Sequence, residues 1–398
     1  MCAAPPGSIR MVLDESVGIF VPEIADPSKV TGKGKEFRVC PGKGLPIREM
    51  ARNLYDCAAH DTFELGRYRL AVAAHSTSPK TLKNASSGGV MTEISLYLLQ
   101  TNRVDGITAL RFVYGPPGPR VESFIARSPE DLFSAQGSKY CPTTTNGLVR
   151  ECVETGGRYL FLGTPCQIGA LRLAIGEDPF LGEVFPQTMT NFCGGYRDFR
   201  YLDDLLFSYG LEPGEVEYFR FRGNGQPGSM LAFTRDGKMA IDTYPDYVHR
   251  STIPRQKRCW YCVDATGELA DLACGDAWIP RFLQDENPWS IVLARSAFAE
   301  QIVREMASKG LIRVKSLSFE EIRDSQRSNI QSKKLRQYAR IQVSRLLGIS
   351  VPQWDVELPR SRNPASYLKE IRVLLGKTPA GRWVRKIMRR RKRDVRPQ

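Results

Sequence analysis

The sequence predicts an α/β fold in which helices cover a mixed sheet. From about Arg67 to Ala294, short apolar segments alternate with amphipathic segments of about 10–15 residues. This alternation is typical of strand–helix units around a mainly parallel or mixed sheet. The 398 residues, of which 42% are hydrophobic, suffice for a large core and for two or more domains.

Turn and cap signals place the elements along the chain. We expect strands in YRLAVAAHS, VDGITALRFV, PRVESFIAR, YLFLG, FPQTMTNFC, VEYFRFRG, SMLAFT and GKMAIDTY, the last two joined at Asp236-Gly237. We expect helices after the turn Ser86–Gly89, after the cap Ser128-Pro129, in TNGLVRECVET, after Cys166, in FRYLDDLLFSYG and in SAFAEQIVREMASKG. One or two charged helices follow up to about Gly348, and RCWYC is read as a loop.

A glycine motif at Gly223–Gly228 (GNGQPG) resembles a dinucleotide-binding loop. That fingerprint requires a strand, the glycine loop and then a helix. Here the segment lies between two predicted strands and contains Pro227. We therefore predict a hairpin loop.

The net charge of +14 is concentrated in a C-terminal tail. From Arg360 to Gln398 there are 14 Lys and Arg against 2 Asp and Glu, so this segment holds +12. The tail is either a solvated terminus or an anchor to an anionic membrane surface. Nucleic-acid binding is not expected, because no basic patch with interleaved aromatic residues occurs. The absence of a signal-peptide pattern and of a long apolar run makes a cytoplasmic location the expectation, with peripheral membrane contact through the tail as the alternative.

Ten cysteines and three histidines indicate thiolate chemistry rather than a histidine-based site. Cys259 and Cys262 form a C-x-x-C pair, and Cys166 and Cys193 follow predicted strands where a loop leaves room for inorganic sulfur. From the residues themselves, Cys166 remains a nucleophile, a metal or cluster ligand, or a buried thiol. Four other cysteines are predicted to pack in the interior: Cys57, Cys141, Cys152 and Cys274.

The Ser-Ser-Gly-Gly turn at Ser86–Gly89 precedes a predicted helix. Glycines and hydroxyls at a helix start allow phosphate groups to approach the backbone N–H groups, as in a nucleotide or flavin site. A plain N-cap with a flexible loop is the alternative.

Several motifs occur together in the order typical of one family. The segments SSGGVMTEI, QGSKYCPT, GTPCQIGALR, NFCGG, RCWYC and ADLACGDAW resemble the coenzyme F420 hydrogenase/dehydrogenase beta-subunit family. This family includes deazaflavin-reducing hydrogenase subunits and 7-hydroxymethyl chlorophyll a reductases. The resemblance runs from about Met1 to Ala294.

The resemblance implies an iron–sulfur flavoprotein that passes electrons between a 4Fe-4S cluster, FAD and an organic acceptor such as coenzyme F420. It implies that Cys166, Cys193, Cys259 and Cys262 are the cluster ligands. It also implies flavin or cluster-loop contacts at eight positions: Ser86, Ser87, Gly88, Gly89, Ser138, Lys139, Tyr140 and Asp276. No catalytic residue is identified.

The N-terminus departs from the family pattern. Relatives begin with a ferredoxin-like C-x-x-C-x-x-C and a later Cys-Pro, to which Cys2 and Cys40 correspond as further metal ligands. The two upstream cysteines are missing. Either the chain starts at an internal Met, which we favour, or a second cluster has been lost.

The sequence thus predicts three segments: a truncated ferredoxin-like segment (1–45), a beta-subunit-type FAD and iron–sulfur domain (46–345) and a basic helical tail (346–398). The expected partners are a redox partner protein or reduced ferredoxin-type donor and an organic electron acceptor. The alternative function is a non-catalytic electron-transfer or zinc-stabilised scaffold subunit of a larger complex, in a role such as polysaccharide biosynthesis.

Overall fold

The computed structural model describes residues 4–225, 227–251 and 253–375. The strands are β1 (Ile9–Asp14), β2 (Ile19–Ile24), β3 (Gly44–Leu45), β4 (His60–Thr62), β5 (Gly66–Tyr68), β6 (Leu70–Ser76), β7 (Gly106–Val113), β8 (Arg120–Ala126), β9 (Tyr159–Leu162), β10 (Gln187–Asn191), β11 (Val216–Arg220), β12 (Ser229–Thr234), β13 (Met239–Thr243), β14 (Leu272–Asp276), β15 (Ser290–Ala294), β16 (Ile312–Ser316) and β17 (Gln353–Trp354).

Helices connect and cover these strands. The α-helices are α1 (Lys35–Arg38), α2 (Ile47–Leu54), α3 (Pro79–Lys83), α4 (Val90–Gln100), α5 (Pro129–Ser134), α6 (Leu148–Thr155), α7 (Pro165–Glu177), α8 (Phe180–Val184), α9 (Phe199–Phe207), α10 (Lys257–Tyr261), α11 (Pro280–Leu283), α12 (Ala297–Ser308), α13 (Phe319–Ser325), α14 (Arg327–Ile330), α15 (Gln337–Leu346) and α16 (Pro364–Leu375). A π-helical turn, Gln331–Leu335, joins α14 to α15.

The central sheet has eight strands in the order β16-β6-β15-β14-β10-β9-β7-β8. Strands β14, β10, β9 and β7 are parallel neighbours. β6 runs in the same direction as β14, because β15 is antiparallel to both. The carboxyl ends of five strands therefore meet at one edge of the sheet. This mixed sheet with helices confirms the predicted α/β class.

Alternating side chains bury both faces of the sheet. In β15, Val292 and Ala294 join a core with α4 and α12, whereas Ile291 and Leu293 pack on the opposite face near Ile322 of α13. A sheet covered on both faces needs strands that are apolar throughout, as β15 is.

A second, three-stranded antiparallel sheet is formed by β11, β12 and β13. The GNGQPG segment joins β11 to β12, so the prediction of a loop between paired strands is confirmed. The predicted turn between β12 and β13 is also present, with Gly237 at φ +83°.

Two local predictions were wrong. The segment RCWYC is not all loop, because α10 contains Cys259 and ends just before Cys262. Cys57 is exposed in a turn after α2, since its N–H is held by the Asp56 carboxylate and the helix has already ended. The charged segment after β16 is helical, as predicted, and Lys333, Lys334 and Arg340 within it are buried. The predictions of buried Cys141, Cys152 and Cys274 are confirmed.

A segment in the first fifty residues pairs with a segment near residue 354. β3 pairs with β17, and the Asp355 carboxylate accepts the N–H groups of Arg48 and Glu49 at the start of α2. Cys2 and the arginine-rich segment after Leu375 lie outside the described residues, so the three-segment division stays a prediction. No helix within the described ranges is long and apolar enough to cross a membrane.

Helix α16 is anchored by a buried ion pair. The Glu370 carboxylate accepts from Arg340 Nε at 2.9 Å, and both side chains are at most 2% exposed. A second guanidinium, that of Arg336, reaches the same carboxylate at 2.5 Å. This pair holds the segment that continues into the basic tail against α15.

Replacing Glu370 with Gln leaves the Arg340 charge buried without its carboxylate. We expect the free energy of unfolding to fall by about 3–5 kcal/mol. The matched control is Glu23→Gln in the exposed Arg10–Glu23 pair, which should leave stability unchanged. Chemical denaturation measures both, and equal effects of the two substitutions would contradict the anchoring role.

Candidate functional site

Four of the predicted ligand cysteines come to the carboxyl edge of the central sheet. Cys166 lies in the first turn of α7, which follows β9, and Cys193 lies two residues after β10. Cys259 lies in α10, and Cys262 directly follows that helix. All four side chains are half-buried.

The four thiols influence one another's ionisation. Burial raises the pKa of the Cys259 thiol, and negative charge on Cys193 and Cys166 raises it further. Burial also raises the pKa of the Cys262 thiol to about 12. Lys333 opposes that shift, whereas Cys166 and Cys193 add to it. Each thiol therefore lies within the electrostatic range of its neighbours, although they come from three separate parts of the chain.

Gly195 permits the close approach of the Cys193 loop to α10. It has φ +101°, and a Cβ at this position would lie 2.9 Å from Cβ of Cys259. Its N–H donates to the Cys193 sulfur, with N···Sγ 3.3 Å. Glycine therefore combines a left-handed backbone with room for the second cysteine.

Helix α7 presents Cys166 at its N-terminus. Thr164 and Gln167 form a capping box there, and Thr164 Oγ1 lies 3.4 Å from the Cys166 sulfur. The positive end of the helix dipole favours negative charge on a group held at this position.

A buried cation faces the thiols. Lys333 is 3% exposed, and its Nζ donates to the backbone carbonyl of Asp264 at 2.7 Å and to the Cys262 sulfur at 3.4 Å. Burial opposes the charged form of Lys333, but Cys262, Cys193 and the other nearby negative groups outweigh it, so the pKa is raised. Arg258 also has a raised pKa: desolvation opposes its charged form, but Cys166, Tyr196 and Cys259 outweigh that effect.

The four thiols are not arranged around a single metal ion. Among the described residues, no three His, Cys, Asp or Glu side chains lie close enough to hold a single metal ion. The cysteines of a 4Fe-4S cluster each bind a different iron, so their sulfurs lie farther apart than those around one ion. The remaining predicted ligands are not brought to this site: Cys40 is exposed, and Cys2 lies outside the described residues.

A second polar cluster gathers the other predicted residues around Arg222, a side chain that is 3% exposed. Its guanidinium donates to the Asp276 carboxylate at 2.6 Å and to the Ser86 carbonyl at 2.6 Å. The pKa of Arg222 is raised, because Asp276 and Tyr140 together outweigh the effect of burial. The Ser138 N–H in turn donates to the Ser86 hydroxyl at 3.1 Å. Residues from three predicted segments thus converge on one cation.

Two aromatic rings complete this cluster. The rings of Tyr244 and Trp278 are stacked with centroids 6.0 Å apart and an angle of 10°. The Arg222 guanidinium lies 4.9 Å from the first ring and 5.5 Å from the second. Both aromatic residues are half-buried, so the cluster offers a charged group beside flat apolar surfaces near solvent.

The glycines of the Ser86–Gly89 turn have packing roles. A Cβ at Gly88 would lie 2.4 Å from the carbonyl oxygen of Ala74 and 2.9 Å from the amide of Ser290. Gly89 has φ +70° as the N-cap of α4. The hydroxyl of Ser87 donates to the carbonyl of Trp289 at 2.7 Å. These contacts fix the loop to the ends of β6 and β15.

Lys139 lies beside the cluster but points elsewhere. Its Nζ donates to the carbonyls of Ala135, Gln136 and Gly137 at the end of α5. Burial lowers the pKa of Lys139 to about 7. The structure therefore gives this half-buried lysine a helix-capping role, which the sequence did not predict.

The two clusters are adjacent because their strands are neighbours. Asn191 of β10 is paired with Cys274 of β14, and Cys193 and Asp276 each lie two residues further on. The N–H of Phe192 donates to the Cys274 carbonyl at 2.6 Å, so the chains stay together up to that point. Neighbouring strands are about 4.8 Å apart.

The sequence does not reveal the two cations, Arg222 and Lys333, that lie at the centres of these clusters. Arg222 lies just after β11, and Lys333 lies in a segment read as charged helix. Neither position carries a motif or spacing that distinguishes it from a surface residue. Only the long-range contacts with Asp276 and Cys262 reveal their roles.

Two family models match the part of the chain that contains most residues of the two clusters. Residues 71–150 and 156–319 match the family models for the N-terminal and the C-terminal part, respectively, of the "Coenzyme F420 hydrogenase/dehydrogenase, beta subunit". Coenzyme F420 hydrogenase subunit beta from Methanococcus voltae is 24% identical over 295 residues, which cover 72% of this chain and 99% of the relative. The chloroplastic 7-hydroxymethyl chlorophyll a reductase of Oryza sativa subsp. japonica is 26% identical over 236 residues, or 56% of this chain and 46% of the relative.

A solved structure shares the fold. A chain of the F420-reducing NiFe hydrogenase complex from Methanosarcina barkeri matches with a TM-score of 0.58 and 21% identity. The match covers 73% of this chain and 98% of that chain.

Proposed function

The chain belongs to the coenzyme F420 hydrogenase/dehydrogenase beta-subunit family, and on this premise we propose that it is an oxidoreductase subunit that passes electrons between a 4Fe-4S cluster, FAD and an organic acceptor. The observation that carries the proposal is the meeting of four cysteine thiols with a buried lysine at the carboxyl edge of the sheet. The names of several relatives make coenzyme F420 the first acceptor to test.

Cys166, Cys193, Cys259 and Cys262 would hold the cluster, which supplies one-electron transfer when bound. The chain contributes the thiols, the positive end of α7 at Cys166 and the cation of Lys333. Thiolate-only ligation suits an iron–sulfur cluster, and nearby donors and cations tune its potential.

The Arg222 cluster would hold the flavin, which exchanges electron pairs with organic partners and single electrons with a cluster. Ser86 lies in the turn before α4, where phosphate oxygens are favoured, and the Ser138 hydroxyl is hydrogen-bonded to its side chain. Arg222 offers a fixed positive charge beside the rings of Tyr244 and Trp278. Asp276 orients that guanidinium.

Strand pairing supports direct electron transfer between the two sites. Cys193 and Asp276 extend from neighbouring parallel strands, so no intermediate carrier is needed between the proposed cluster and the proposed flavin. The relatives named as hydrogenase or dehydrogenase subunits favour a redox partner protein as donor. We place the protein in the cytoplasm, with the basic tail as a contact to an anionic surface.

Serine substitution of each proposed ligand tests the cluster. In anaerobically purified protein, Cys193→Ser and Cys262→Ser should lose most iron, sulfide and visible absorption, because a cubane needs all four thiolates. The control Cys57→Ser alters an exposed thiol outside the site and should retain the wild-type content. Unchanged iron in the two ligand variants would rule out this ligand set.

Replacing Arg222 with Gln tests the flavin site. The variant loses the charge that joins Ser86, Tyr140 and Asp276, so we expect FAD to bind at least about tenfold more weakly, or about 1.4 kcal/mol. Fluorescence titration of FAD measures this, and retained iron shows that the variant is folded. Arg111→Gln, in an exposed pair with Glu122, is the control. Equal FAD affinity in the Arg222 and Arg111 variants would contradict the assignment.

A further inference from the structure

We propose that Lys333 is the internal counter-charge of the four-cysteine site and that it raises the reduction potential of the cluster bound there. This inference rests on the proposed iron–sulfur function. It assigns Lys333 as a positioning residue that acts through its fixed charge and through Cys262.

The first observation is a buried ammonium group without a carboxylate partner. Within the described ranges, no Asp or Glu oxygen lies within ion-pair distance of Lys333; its contacts are the Asp264 carbonyl and the Cys262 sulfur. The neighbouring Lys334 is 0% exposed but is paired with the Glu268 carboxylate. Two consecutive lysines are thus buried, and only the second is neutralised by an acidic side chain.

Burying an unpaired charge is costly, so a compensating anion is expected next to Lys333. The carboxylate that acts on Lys333, that of Asp264, already accepts the N–H groups of the turn Thr266–Glu268. The other negative groups that act on Lys333 are the sulfurs of Cys262, Cys193 and Cys259. An anionic cluster held by these thiolates supplies the missing charge.

The backbone that carries Lys333 is the second observation. π-helical turns are rare in proteins, and many of those that do occur lie at functional sites. This one directs Lys333 and Lys334 inward to two different partners. The wider turn therefore allows both side chains to be buried from adjacent positions.

Helix α15, which follows the π turn, is hydrogen-bonded to the C-x-x-C segment. Gln337 donates from its amide to the carbonyls of Trp260 and Cys262 at 2.9 and 3.0 Å. Arg340 donates to the Trp260 carbonyl at 2.6 Å. These bonds fix the distance between Lys333 and the cysteines, so its charge acts from a constant position.

The charge of Lys333 is expected to change the reduction potential of the cluster without any proton transfer. A cluster with four thiolates is anionic and gains one further negative charge when it takes up one electron. A fixed cation stabilises the reduced form more than the oxidised form, and no proton leaves Lys333 in the step. Removing the charge should therefore lower the reduction potential.

The test compares Lys333→Met, which keeps the length of the side chain, with Lys333→Arg, which keeps the charge. Lys238→Met, in an exposed pair with Asp236, is the control. EPR-monitored redox titration of the full-length loaded protein measures the potential. For Lys333→Met we expect at least about a tenfold lower ratio of reduced to oxidised cluster at a fixed potential, or about 59 mV for a one-electron couple. The Arg and control variants should remain near wild type.

The outcomes separate this inference from the proposed function. A loaded Lys333→Met protein with the wild-type potential, or an Arg variant that shifts as far as the Met variant, would overturn it. If Lys333→Met fails to retain iron, retention by Lys333→Arg shows that the charge is required, and loss in both shows that only shape matters and overturns the inference. A wild-type protein that binds no cluster would instead overturn the proposed function.

Discussion

The shared direction of five strands is the constraint on which the candidate site depends. β6, β7, β9, β10 and β14 run the same way, so their carboxyl ends and the loops that follow lie at one edge of the sheet. Ligands of open α/β sheets bind in the crevice outside the carboxyl ends of the strands, which is this edge. Cys166, Cys193 and Asp276 occupy three neighbouring strand ends, which brings the thiols and the Arg222 cluster together.

Buried cationic side chains hydrogen-bond to the loops at this edge of the sheet. Arg222 joins the loops that carry Ser86 and Asp276. Arg295, which is 0% exposed, donates to the carbonyls of Leu65 and Thr266 and so fixes the turn that follows the C-x-x-C segment. Lys333 faces the thiols themselves. Interior positive charge is costly unless it is matched, and its concentration here is consistent with a site that holds anionic groups.

Much of the fold could be predicted from sequence because its signals are local. The strand–helix alternation, the Ser128 cap and the Asp236-Gly237 turn act within a few residues, and each appears as expected. Cys57 shows the limit of local signals: it was predicted to pack in the interior, but the chain turns after Leu54 and exposes the thiol.

The site was predictable only in part, for a related reason. The C-x-x-C spacing and the strand-end positions of Cys166 and Cys193 are visible in the sequence. Lys333 and Arg222 are not, because a lysine in a charged helix and an arginine after a strand have the same local pattern whether they face solvent or a buried partner. Their partners lie 71 and 54 residues away in the chain, and only the tertiary fold brings them into contact.

The cofactor content of the anaerobically purified wild-type chain decides whether the four cysteines hold an iron–sulfur cluster. Iron, sulfide, zinc and FAD should be quantified per chain, together with a Mössbauer spectrum of iron-enriched protein. We expect about four irons and four sulfides in one cubane cluster, with one FAD. Stoichiometric zinc without iron or flavin would contradict it and would make the cysteine site a structural metal centre.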